Sequence, residues 1–63
     1  MTPTEIKIEF LKNNIKQSDI ADKLSVTRQM VNMVIQGRAR SRLIEIAIAA
    51  CIDRNIKDVF PIS

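Results

Sequence analysis

The sequence predicts an all-α fold of five short helices. Two prolines and one glycine in sixty-three residues leave few sites for β-turns. No stretch alternates apolar and polar residues for long, as a half-buried strand would. Apolar residues instead recur at three and four positions, between residues placed to cap and close helices.

The first helix opens at Thr2-Pro3-Thr4-Glu5. Thr2 can cap, Pro3 suits the first helical position, and Glu5 completes a capping box. Ile6 and Phe10 are its core contacts, and Asn13-Asn14 ends it. The second helix spans about Gln17 to Leu24, with Ile20, Ala21 and Leu24 inward and Asp19 four before Lys23. After Ser25-Val26, Thr27 caps a third helix that ends at Gln36, with Gly37 as the left-handed residue beyond it. Ser41 caps the fourth, whose Ile44, Ala47, Ile48, Cys51 and Ile52 form a core stripe. Asn55, with Asp58 three later, opens a last turn from Ile56 to Phe60, and Pro61 stops it.

The totals narrow the class. Residues 1–63 make one domain, with a core worth about 3–5 kcal/mol. Cys51 is the lone cysteine, which excludes an internal disulfide and suits a reducing compartment. Without histidine, a zinc site would fall to carboxylates, so neither metal nor cofactor is expected. The run Leu43 to Ile52 is too short to span a bilayer and contains Glu45. Glu5, Lys7 and Glu9 interrupt any signal-peptide core. A soluble cytoplasmic domain is the expectation, with no membrane and no small-molecule ligand.

Charge distribution is more telling than the net +3. From Lys23 to Arg42 there are five basic residues and no acid, while the remainder is slightly acidic. That asymmetry points to a polyanionic partner on one face. Helices 2 and 3 are joined by only two or three residues, which forces a steep crossing. Ala21 is small enough for the crossing point, Val26 can plug the angle, and Val31 and Val34 fill the inner side of helix 3. This is the spacing of a helix-turn-helix, whose second helix enters the major groove.

QSDIADKLSVTRQMVNMVIQGR resembles the helix-turn-helix of phage Cro and repressor-type regulators. The following RSRLIEIAIAACIDRNIKDVFP extends the likeness to the small Ner-like branch, especially the closing DVFP. The resemblance covers roughly Pro3 to Pro61 and implies a compact five-helix, lambda-repressor-like DNA-binding domain. It places base reading on Thr27, Arg28, Gln29, Asn32 and Gln36, and a DNA-backbone contact on Gln17. Three positions depart from the pattern. Ser25 stands for the usual turn glycine, where a positive φ would carry a cost, and the sequence leaves open whether it takes one. Lys16 replaces a hydroxyl cap, predicting a helix start that is frayed or held by phosphate. Met33 replaces a commonly polar residue.

The residues support the same reading without the resemblance. Arg28, Asn32 and Gln36 are spaced four apart with Gln29 beside them, opposite Met30, Val31, Val34 and Ile35. Arginine pairs with guanine and amides with adenine, and Met33 suits a thymine methyl. Phosphate contacts are expected from Lys16 and Gln17 at the start of helix 2. Arg38, Arg40 and Arg42 would join them, fanned along an extended segment. For Gln36, simple solvation is an equal reading, and Thr27 is a cap before it is a contact.

Leu43, Ile46 and Ala50 form a second apolar strip on helix 4, read as a dimer seam with Val59 or Ile62; extra packing is the plainer reading. Cys51 reads as a buried small hydrophobe. The expected function is a sequence-specific transcriptional regulator, a repressor in a prokaryotic or phage-infected cell. It would bind double-stranded DNA as a homodimer on a two-fold operator. A protein-binding module, an antitoxin or anti-repressor, is the alternative. No enzyme is expected, since no nucleophile and base or paired carboxylates suggest a reaction.

Overall fold

Helix ends explain most of this architecture. The computed structural model describes residues 1–61. It contains α1 (Pro3–Lys12), α2 (Gln17–Leu24), α3 (Arg28–Ile35), α4 (Arg42–Cys51) and α5 (Ile56–Val59), and no strand among the described residues. Both arms of the first capping box form. The Glu5 N–H donates to Thr2 Oγ1 at 3.1 Å, and the Thr2 N–H to Glu5 Oε1 at 2.8 Å. That second bond holds the Glu5 carboxyl below its ordinary pKa. Thr27, Ser41 and Asn55 cap α3, α4 and α5 through side-chain oxygens, as their positions predict.

Four helices close with one device. Asn14, Ser25, Gly37 and Asp53 adopt left-handed φ of 56°, 57°, 78° and 55°. The next residue then reaches back five positions in each case. The N–H of Ile15 meets Phe10 O at 2.8 Å, Val26 meets Ala21 O at 2.9 Å, Arg38 meets Met33 O at 2.9 Å, and Arg54 meets Ala49 O at 3.0 Å. These are Schellman closures, which satisfy carbonyls the helix leaves unpaired. Ile15 and Val26 follow directly and pack against the core, so two of the closures are also hydrophobic anchors. Ser25 takes the positive φ that the sequence left open. The closure at Asp53 has no glycine or asparagine to announce it.

The core sits where the helices cross. Ile6 and Phe10 enter from α1, Ile20 and Ala21 from α2, and Val31, Val34 and Ile35 from α3. Leu24 and Val26 pack against this group while half-buried. α2 and α3, joined by Ser25, Val26 and Thr27, pack against each other and both against α4, with Ala21 nearly sealed at 3 % exposure. Met1 donates from its ammonium to Asp58 O at 2.8 Å and Val59 O at 3.2 Å, joining the start of α1 to α5.

The stripe expected on α4 is displaced. Ile44 and Ile48 are buried and Ile52 follows them, but the buried face also includes Glu45 and Ala49, leaving Ala47 and Cys51 half-buried at its flank. α4 packs against α2, α3 and α5, so the covered arc is wider than one stripe. Glu45 is tolerated there because Arg40 Nε donates to its Oε2 at 2.9 Å. Val59 is 1 % exposed and packs inside, so it cannot join a dimer seam; Ile62 lies outside the described residues. Leu43, Ile46 and Ala50 are exposed on the outer side of α4.

Candidate nucleic-acid interface

The short α3 separates its two faces cleanly. Val31, Val34 and Ile35 are at most 3 % exposed, and Met30 packs beside them. Arg28, Gln29 and Gln36 are exposed on the other side, with Asn32 and Met33 half-buried. The hydroxyl of Thr27 accepts the Met30 N–H at 3.1 Å, so it serves as a cap. Gly37 ends the helix in a conformation that costs other residues about 1–2 kcal/mol. No carboxylate pairs with Arg28, Arg38 or Arg42 among the described residues.

An open groove of about 730 Å³ runs beside the first two turns of α3. It gathers Lys16 and Gln17 at the start of α2 with Arg28, Gln29 and Asn32 of α3, all five singled out from sequence. α1 adds Lys7, Phe10 and Leu11 to the lining. No acid lines it. Sequence reasoning missed the α1 contribution. Its one local signal was Lys7 and Leu11 at i and i+4 on a side with no core role. Thr27, Met33 and Gln36 lie outside the groove lining.

The start of α2 is more ordered than expected. The Lys16 N–H donates to Asp19 Oδ2 at 3.2 Å, and the Asp19 N–H returns to Lys16 O at 3.1 Å. A lysine side chain cannot accept a hydrogen bond, so only the carboxylate arm of a capping box exists here. That arm replaces the expected fraying.

The three arginines do not form an extended row. Residues 36–39 turn, with the Ala39 N–H bonded to Met33 O at 3.3 Å and its side chain packed against the core. Arg38 points into solvent immediately after the α3 closure. Arg40 donates through Nε to buried Glu45, which ties its guanidinium to α4 and gives it a structural role that Arg38 and Arg42 lack. Arg42 is the first residue of α4 and lines a separate small cleft with Glu45, Ile56, Lys57 and Phe60. The anchored Ala39 is the physical reason: it pins the segment's centre and splits its ends.

No group of three or more His, Cys, Asp or Glu side chains is placed to hold a metal among the described residues. No helix there is long and apolar enough to cross a membrane. Compared with protein-family models, curated proteins and solved structures, the chain matches none.

Proposed function

We propose that this chain is a sequence-specific DNA-binding transcriptional regulator of the Cro/Ner type. In this reading α2 and α3 form the helix-turn-helix, and α3 enters the major groove. The observation that carries it is the outer face of α3. Arg28, Gln29 and Asn32 stand together there, acid-free, beside an open basic groove. Arginine donates bidentately to guanine O6 and N7, and a carboxamide matches adenine N6 and N7. Each such pair discriminates by about 1–3 kcal/mol. Met33 flanks this face and suits a thymine methyl; Gln36 lies one turn further on. The α2 N-terminus and Arg38 would hold phosphates and set the register.

A second copy would join through Leu43 and Ile46, 59 % and 48 % exposed, together with exposed Ala50. Two α3 helices about 34 Å apart would then reach successive major grooves. Control is steric, by occupying a promoter.

Binding should be measured on a duplex selected from a random pool and on its single-base variants. Asn32→Ala or Gln29→Ala should relax preference at one base pair. Arg38→Ala should weaken all duplexes alike and flatten the log–log salt slope by about 1. Unchanged affinity and preference in all three variants would falsify α3 as reader.

A further inference from the structure

The groove beside α3 contains more than base reading requires. Its lining joins Arg28, Gln29 and Asn32 of α3 to Lys7 and Leu11 of α1, which stand one turn apart on the same side of that helix. The first turn of α2 completes the lining and adds the Ser18 hydroxyl. Leu11 is 80 % exposed, more than any other large apolar side chain described. Acids are turned elsewhere. Glu9 on the same helix lies 3.6 Å from Arg54 and 3.8 Å from Lys12, and Asp19 accepts from the Lys16 backbone.

Cations and a hydroxyl on an aliphatic wall match the chemistry of one sugar–phosphate strand. Phosphate oxygens accept from ammonium, guanidinium and hydroxyl groups, and the deoxyribose carbons pack on an alkyl side chain. We propose that one DNA backbone strand lies in this groove, with Lys7 and Ser18 as phosphate contacts and Leu11 against a deoxyribose. This rests on the DNA-binding reading above. It makes α1 part of the interface, so the strand is gripped from two helices and the depth of α3 in the major groove is fixed.

The test is the salt dependence of binding to a selected duplex by wild-type protein and four variants. Lys7→Ala should lower affinity for every duplex by roughly tenfold at 50 mM salt and flatten the log–log slope by about 0.9. Lys7→Arg should retain the wild-type slope. Leu11→Ser should weaken binding with the slope unchanged, because no counterion is released by an alkyl contact. Lys57→Ala, on α5 and outside the groove, should behave as wild type. All of these side chains are exposed, so the fold is preserved, and a thermal melt verifies it. A wild-type slope for Lys7→Ala overturns the proposal and leaves the groove to an acidic protein partner. If Asn32→Ala still alters base preference in that case, the DNA-binding reading survives alone. A wild-type protein that binds no duplex removes both.

Discussion

At the residue scale, the pairing of Arg40 with Glu45 changes what the basic segment means. Glu45 has a side chain 5 % exposed, against 59 % for Arg40, with 2.9 Å between Nε and Oε2. Removing the guanidinium leaves a carboxylate inside the protein without its partner. Arg40→Ala should therefore lower the unfolding free energy by about 1–2 kcal/mol, below the figure for a fully sealed pair because Arg40 is half in water. Adding Glu45→Gln should recover part of the loss, since a neutral amide costs less to bury. Urea unfolding measures both. The salt slope of DNA binding should stay at the wild-type value in Arg40→Ala, in contrast to Arg38→Ala. Equal flattening by the two substitutions would return Arg40 to the phosphate contacts. Nothing local in the sequence distinguishes the three arginines, because their roles depend on a carboxylate five positions on and on Ala39 packing inward.

At the element scale, the short helices depend on how they end. Ser25 and Gly37 occupy the same left-handed position after α2 and α3, yet only one is glycine. Ser25→Gly should stabilise the fold by up to about 1 kcal/mol, with the relief of strain partly offset by backbone entropy in the unfolded chain. Gly37→Ala should destabilise by about 1–2 kcal/mol through conformation alone, since no atom lies within 4 Å of an added Cβ. Denaturant midpoints should shift in opposite directions at constant m-value; a shared direction would mean the closures do not control stability. Helix boundaries were legible because capping is local: Thr2 with Glu5, and Thr27, Ser41 and Asn55 at their helix starts, are all read within four residues. The buried face of α4 was not legible. Glu45 reads as polar, and its burial is decided by how α4 packs against α2, α3 and α5.

At the scale of the whole molecule, the fold exposes two surfaces that serve one reading. One is the α3 face with its adjoining groove; the other is the apolar strip of Leu43, Ile46 and Ala50 on α4. The residues of α2 and α3 were identifiable from sequence because all fall within one short segment. The α1 wall was not, since it depends on how α1 docks beside α3. If the strip joins two copies, Leu43→Glu with Ile46→Glu should bind a single half-site normally. It should lose about a hundredfold or more on two half-sites one helical turn apart. Undiminished affinity there would place the contact between copies elsewhere. The most direct test of the central claim is wild-type binding by fluorescence anisotropy, comparing a duplex selected from a random pool with a scrambled one at 50 and 200 mM salt. DNA reading by α3 predicts that the selected duplex binds at least about 10³-fold more tightly at either salt, while both affinities fall steeply as salt rises. Equal affinity for the two duplexes, or no binding at 50 mM salt, would contradict it.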